Sequence, residues 1–515
     1  MVNNFDAIII GSGMGGMSCA ASLALLGKKV LVLEQHYVAG GMTHTFKRKD
    51  FEWDVGVHAL GEMGPNRLPG KLVQWLSQDK LKMNSYGHPY ETFFFPENDK
   101  FEYPNDKDGF KKNLIERFPN EQKNIEKYFD IINEVGKLAK VHFSSRLMPS
   151  CIEGLLSPFI KRKFHYWSDK TVKEVLDELF DDSKLKSILA GQWGYYGAAP
   201  SQASFFIHAI TTRHFWEGAY YPEGSSKTIA DTFLCSVTDN GGKVLLKTRA
   251  ESLILKNDCV IGVNTNQGEF FAPLVISAIG AKATVNRLLP KKHQSEKWAR
   301  DINELEQSPS HVCLYLGFEG DIKASGATES NQWWCETWDF ENTFWDLDND
   351  EAPILYTSFP SLKDPHHQTM SKDGRPLHTG EVVTFVKYED FKNWEGTKVG
   401  RRGTDYKDFK KSIEKRMMDQ IKKHLPDLME KCVYHELSTP LSTTHYCEAP
   451  QGAIYGLLPT PKRWRTRALR PKTPLKGFYM TGADIGTLGV VGALIGGVLT
   501  AASIDKRVAK KLMGK

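Results

Sequence analysis

Asp6-Ala7-Ile8-Ile9-Ile10-Gly11-Ser12-Gly13-Met14-Gly15-Gly16 stands near the front of a 515-residue chain, and its reading decides the fold. Asp6 to Ile10 is an apolar, β-branched run suited to a buried parallel strand. A small-residue helix, Met17 to Gly27, follows the glycines, and a second strand, Lys29 to Leu33, ends in Glu34. The pattern is G-x-G-x-x-G between strand and helix, with an acid about 20 residues on. Gly11 permits the tight turn, Gly13 lets the backbone approach a pyrophosphate, and Gly16 lets helix and strand pack closely. Met14 and Gly15 complete the turn, and the helix N-terminus brings about half a positive charge to the phosphates. Glu34 is placed to accept hydrogen bonds from both hydroxyls of a ribose, and a 2′-phosphate would meet repulsion there. These residues imply a dinucleotide without saying which one.

The next residues narrow the choice. After Glu34 the chain reads Gln35-His36-Tyr37-Val38-Ala39-Gly40-Gly41-Met42-Thr43, then Asp54-Val55-Gly56-Val57-His58. A nicotinamide enzyme would normally proceed to another helix. The glycine pair and the D-x-G-x-H turn instead resemble the long FAD-binding pattern of the amine-oxidase and phytoene-desaturase superfamily. Near the far end, Gly477 to Asp484 (G-F-Y-M-T-G-A-D) reads as strand, turn and acid, leading into a glycine-rich helix from about Gly489 to Ser503. Between the two lie Tyr221 to Lys227, a strand from Gly241, and alternating runs that resemble a β-meander and return to Leu274–Gly280.

Within that superfamily the chain resembles the retinol saturase and carotenoid isomerase branch over nearly its whole length. Leu33 to His36, Ser204 to His208, Gly218 to Gly224, Phe359 to Pro365, Lys398 to Gly400, Thr439 to Thr443 with Tyr446, Gly452 to Gly456 and Gly489 to Leu494 carry the likeness. It implies an α/β architecture: a Rossmann-like, GR2-type FAD domain, discontinuous in sequence (1–75, 218–290, 437–515), and an inserted α+β substrate domain (76–217, 291–436). FAD contacts are then expected from Gly11, Gly13, Met14, Gly15, Gly16, Glu34, Gln35, Gly40, Gly41, Met42, Thr43, His58, Gly482, Asp484, Gly489, Val490 and Val491. The resemblance puts Asp484 on the ribityl or pyrophosphate portion and the Gly489 helix terminus beside the flavin, where its dipole favours negative charge on the reduced ring.

The implied activity is hydride exchange between flavin N5 and a carbon–carbon double bond of a hydrophobic polyene, giving saturation, desaturation or isomerisation. Such a substrate offers few polar handles, so tunnel shape and apolar burial at ~25 cal/mol per Å² must select it. Two aromatic clusters could line the tunnel: Trp193, Tyr195, Tyr196, Phe205, Phe206, Phe215 and Trp216, and then Trp333, Trp334, Trp338, Phe340, Phe344 and Trp345. Ordinary core packing is the competing reading. Candidate acid/base residues are His58, His208, His214 and Tyr446. No second G-x-G-x-x-G serves a nicotinamide, so electrons are expected to come from a separate donor or to leave to oxygen or a quinone, although NAD(P) can visit a flavin without that motif.

Composition sets the remaining bounds. Hydrophobic residues are 41% and charged residues 25%, with a formal charge of +5, ordinary for a globular chain and no signal for nucleic acid. Eight cysteines without a C-x-x-C pair suit a reducing compartment, the cytoplasm, and suggest no metal site. Phe5 to Leu33 lacks a charged start and is broken by glycines, which argues against a signal peptide. Gly482 to Ser503 has about the ~20 residues of a membrane span but carries Asp484 and six glycines. Peripheral membrane contact is expected from Ile152–Ile160 with Lys161-Arg162-Lys163, from Lys462 to Lys472, and from the tail Lys510 to Lys515. Two other readings stay open: a flavin amine oxidase, and a non-catalytic prenyl-binding carrier of the same architecture.

Overall fold

The computed structural model describes residues 5–146 and 158–512, with side chains 158–160 and 512 left out. The patch Ile152–Ile160 and the last residues of the basic tail, 513–515, therefore lie outside the described side chains.

The opening motif builds the centre of a five-stranded parallel sheet. In spatial order its strands are Phe478–Met480, Leu274–Ser277, Ala7–Ile10, Val30–Leu33 and Lys243–Leu245. Ala7–Ile10 and Val30–Leu33 are fully buried, as a parallel sheet covered on both faces requires. The register sets Ile10 opposite Leu33 and Ser277, so the strands end together and their carboxyl edge forms one ledge. An antiparallel three-stranded meander (Ala250–Lys256, Cys259–Thr265, Gly268–Phe271) feeds the return strand at Leu274.

The two ends of the chain meet over this sheet. The helix Met14–Ala24, every residue of it buried, packs on Gly489–Ile504. They approach at glycine distance: a Cβ at Gly15 would stand 2.3 Å from Gly482 Cα, and one at Gly497 would stand 1.9 Å from Ser18 Oγ. Small residues in the C-terminal run are thus contact residues of a buried helix. Among the described residues no helix is long and apolar enough to cross a membrane.

A second, mixed sheet lies beside the first. Its order is Cys432–Ser438, Ser310–Glu319, Leu377–Val386, Ile354–Ser358, Asn331–Cys335, Glu91–Phe95 and Asp99–Tyr103, with Phe344–Trp345 pairing onto Leu377–Val386. The chain alternates between the two sheets. Among the described residues, six α-helices between Lys107 and His214, from Lys107–Arg117 to Phe205–His214, intervene between strands of this sheet. The hairpin Thr45–Arg48/Phe51–Asp54 bolts the sheets together: buried Trp53 donates Nε1–H to Leu316 O at 2.8 Å, and the Phe51 ring fills the space a side chain at Gly317 would need. This bolt fixes the Asp54–His58 turn at the junction.

Candidate active site

A cavity of about 1150 Å³ runs from the carboxyl ledge of the parallel sheet under the mixed sheet. That exceeds the ~300–1,000 Å³ usual for one ligand, leaving room for a cofactor and a substrate together. Gly11, Gly13, Met14, Gly15, Glu34, Gln35, Gly41, Met42, Thr43, His58, Gly482, Asp484, Gly489, Val490 and Val491 all line it. Gly16 and Gly40 stand behind the wall. A Cβ at Gly16 would lie 2.1 Å from Gly11 O, so Gly16 serves the turn itself. Gly40, at φ +123°, donates its N–H to Ser12 Oγ at 3.1 Å.

The wall is shaped for a dinucleotide. Side chains at Gly13, Gly482 or Gly489 would meet nothing within 4 Å and would project into the cavity space. Two helix N-termini, at Met14 and Gly489, open onto it, which suits phosphate and an electron-rich ring. Glu34 Oε2 accepts from Ser12 N (2.9 Å) and Ser12 Oγ (2.6 Å), and Oε1 accepts from His36 N (2.8 Å). A carboxylate offers roughly four acceptor positions, so one remains for a ribose rather than the expected two. Asp484 is also engaged by backbone: Oδ2 accepts from Ala281 N at 2.7 Å and Oδ1 from Leu457 N at 3.0 Å. It thus ties three distant segments together at the cavity wall.

The acid/base candidates separate clearly. His208 is fully buried and does not line the cavity; its Nε2 meets Tyr128 OH at 2.8 Å and its Nδ1 meets Tyr196 OH at 3.3 Å. His214 lines the cavity, but Nε2 accepts from Gly61 N at 2.9 Å and Nδ1 lies 3.5 Å from Glu62 Oε2, so both nitrogens are occupied. Tyr446 lines it too, edge-on to His36 with ring centroids 5.5 Å apart, which groups it with the Glu34 end. His58 differs: Nδ1 lies 2.9 Å from Glu381 Oε2, and 17% of its side chain is exposed. Burial, then the nearby Lys363 charge, pushes the imidazole down to about 3, against the pull of Asp54.

Only some of the expected aromatics line the cavity: Trp193, Tyr195, Phe215 and Trp333 do, joined by Tyr356, Phe385 and Phe143. Tyr196, Phe205, Phe206, Phe340 and Trp345 are buried in the cores instead, and Phe344 is exposed. In the basic stretch Lys462–Lys472, Lys462, Arg465 and Arg467 are exposed and Arg463 is not. Arg463 is buried and donates to Leu457 O and Ala483 O, Lys462 pairs with Glu304, and Arg465 pairs with Asp169.

Four residues of the site were not singled out from sequence. His311 lines the cavity with a buried Nδ1 that has no partner, and burial, then His58, pushes it down to about 4. Behind the wall lie Glu91, Lys363 and Glu381, all fully buried. Glu91 and Glu381 each stand in an otherwise apolar strand (Y-E-T-F-F-F, G-E-V-V-T-F-V), and that interruption is the signal that could have found them; Lys363, in F-P-S-L-K-D-P, carries no such signal.

A glycine-turned parallel sheet opening into a cavity walled mainly by apolar side chains is the arrangement of a flavin-type oxidoreductase with room for an apolar ligand. The chain belongs to the flavin containing amine oxidoreductase family, whose profile matches residues 14–505. It is 30% identical to all-trans-retinol 13,14-reductase of Danio rerio, over 97% of this chain and 86% of that protein. It is 25% identical to the chloroplastic prolycopene isomerase 1 of an Oncidium hybrid cultivar, over 96% of this chain and 83% of that one. Among solved structures, cyclohexylamine oxidase from Brevibacterium oxydans IH-35A shares the fold, with a TM-score of 0.63 at 15% identity over 99% of both chains.

Proposed function

We propose that this protein is an FAD-dependent oxidoreductase acting on a carbon–carbon double bond of a hydrophobic polyene. One observation carries the reading: a single cavity joins the glycine cradle to a wall of Trp193, Tyr195, Phe215, Trp333, Tyr356 and Phe385. Full-length likeness to proteins named for a retinol and for a carotene-type polyene supports the substrate class over an amine. The cradle argues against a carrier without cofactor. FAD, when bound, supplies the two-electron carrier for hydride exchange.

The chain's own residues do the rest. The Gly13–Gly15 amides seat the pyrophosphate, Glu34 holds one ribose hydroxyl, and the N-terminus of Gly489–Ile504 stabilises negative charge on the ring. The aromatic wall orients a flat conjugated chain and excludes water. His58 is the proton-handling group at the cavity surface, being the one acid/base candidate with a ring nitrogen left for it. The cofactor domain comprises 1–75, 218–290 and 437–515, and electrons come from a separate donor. Exposed Lys71, Lys140 and Lys511, beside exposed Leu68, line the cavity mouth, and this rim rests on an anionic lipid face from which the substrate enters.

The test is a substrate panel. The flavin released by denaturation should run as FAD, and the reduced protein under anaerobic conditions should be reoxidised by at least one conjugated polyene. Reduction of the oxidised flavin by simple amines, with no response to any polyene, would overturn the reading.

A further inference from the structure

Behind His58 lies a set of ionisable groups that a cofactor cradle does not require. Asp54, Glu91, Glu381 and Lys363 are all buried, the last three with no exposed surface. With every carboxyl ionised and the lysine charged, this interior would hold a net charge of −2, one cation against three anions. A low-dielectric core does not sustain that charge, so protons must remain on the carboxyls.

Hydrogen bonding says where they remain. Asp54 accepts from Tyr221 OH, Ser226 Oγ and, at 3.2 Å, Ser226 N. Glu91 accepts from Tyr195 OH at 2.5 Å and Trp333 Nε1 at 2.6 Å. Glu381 has neither oxygen met by a hydrogen bond of good geometry; the Asp54 amide pulls only at its fringe. Donors stabilise a carboxylate, so the three rank in proton affinity as Asp54 below Glu91 below Glu381. The titration directions follow the same order: burial raises Asp54 to about 6, Glu91 to about 7, and Glu381 well above its ordinary range.

His58 Nδ1 and Glu381 Oε2 are each unpaired in the buried interior, yet they stand 2.9 Å apart. The contact is not aligned as a hydrogen bond, but at that separation a small turn of the imidazole lets one proton on Glu381 be donated to Nδ1 and meet both atoms. That arrangement fixes the imidazole as the tautomer carrying hydrogen on Nε2, the nitrogen left for the cavity side.

We propose that Glu381 is a buried proton store that acts through His58, with Lys363 holding the charge left when the store empties. The inference deepens the polyene reading and, for its chemical role, rests on it. The transfer is balanced. The Nε2–H bond of His58 breaks as a C–H bond forms on one carbon of the double bond, whose neighbour would take the hydride that a bound reduced flavin supplies. The Glu381 O–H bond breaks as an Nδ1–H bond forms. The imidazole stays neutral throughout, which its burial demands, and Glu381 is left as a carboxylate. Lys363 then compensates it. Its Nζ donates to His58 O (2.8 Å), Asn331 Oδ1 (2.6 Å) and Ser358 Oγ (2.7 Å), all neutral oxygens; burial pushes the ammonium down to about 7 against the pull of Glu381, so Lys363 holds its proton most firmly when the store is empty. Run backward, the same path takes a proton from a saturated carbon.

Charged and titratable groups surround the pair from every packed element. The Asp54–His58 turn brings Asp54, the strand Ser310–Glu319 brings His311, Cys313 and Tyr315, Ile354–Ser358 brings Tyr356, and Tyr221 faces Glu381 from its own strand. None of these places a second cation beside Glu381, which leaves Lys363 as its counter-charge among the described residues.

Infrared spectroscopy of the flavin-loaded protein tests the store without any substrate. At about pH 8.5, well above the Glu91 value of about 7, a protonated-carboxyl stretch should persist, survive in Glu91→Gln and vanish in Glu381→Gln. Absence of the band in the wild type, or an unchanged band in Glu381→Gln, overturns the proposal. Should Glu381→Gln not fold, His58→Gln decides: moving the protein into D2O should shift the band about ten-fold more slowly, because the path to the cavity is cut. An unchanged exchange rate overturns it. A protein with the band but no polyene chemistry loses only the polyene reading; one with polyene chemistry and no band loses only the store.

Discussion

Gly13 and Gly15 lie two residues apart in one turn, yet their replacement by alanine should fail in opposite ways. At Gly15 the new methyl would sit 2.3 Å from Gly482 Cα and 2.8 Å from Gly482 N. Both are backbone atoms, so nothing can swing aside, and the crossing of Met14–Ala24 with the C-terminal segment must open by about 1 Å. Overpacking of that kind costs ~1–3 kcal/mol or more, and Gly15→Ala should lower the thermal midpoint of the cofactor-free protein. At Gly13 the backbone is ordinary (φ −64°, ψ 171°) and a Cβ meets nothing within 4 Å. Alanine there should leave the cofactor-free fold unchanged, or raise its stability by ~0.5 kcal/mol through the unfolded chain. In the proposed cofactor placement the methyl instead occupies the approach to the pyrophosphate. Losing two charge-assisted amide contacts at ~1.5 kcal/mol each removes about 3 kcal/mol, on the order of 100-fold in Kd. Flavin-quenching titration and thermal unfolding of both variants read the two effects separately. Wild-type flavin affinity in Gly13→Ala would refute the placement of the pyrophosphate.

Other variants probe the wall and what supports it. Glu91 is raised in the fold from 4.5 to about 7, so its stabilising share is full below about pH 4.5 and is lost as pH rises through 7; Glu91→Gln should remove that slope, worth up to about 3 kcal/mol, in urea unfolding at pH 4.5 and 8. His208→Phe leaves the Tyr128 and Tyr196 hydroxyls unpaired and should cost ~1–3 kcal/mol of stability, with turnover per bound flavin unchanged. Arg463→Met frees the Leu457 and Ala483 carbonyls on either side of Asp484, and should lose both stability, by about 3 kcal/mol, and flavin occupancy, read by absorbance per protein.

The sequence disclosed the cradle because its chemistry is local: a strand, a glycine turn and an acid within 30 residues dictate their own geometry. Glu34 and Asp484 line the cavity, but their hydrogen bonds were not legible. Ser12 and His36 fill most of Glu34, and Asp484 holds Ala281 and Leu457, contacts set by tertiary folding. Aromatic clustering was a poor guide to the tunnel. Consecutive residues point in different directions, about 100° apart on a helix and to opposite faces on a strand, so Tyr195 reaches the cavity while Tyr196 goes to His208. The buried charges were hardest to see: Glu381 meets His58 only because the Trp53 hairpin is bolted to the strand Ser310–Glu319, which pairs with Leu377–Val386.

The most direct measurement is a single anaerobic turnover: the reduced protein is mixed with a conjugated polyene, flavin absorbance is followed, and the product is weighed. Flavin reoxidation at a rate that saturates with polyene, with a product carrying one added pair of hydrogens per flavin, or a rearranged product of unchanged mass with the flavin still reduced, is the predicted outcome. A flavin that neither reoxidises nor rearranges any polyene, yet is reduced by an amine, would contradict it.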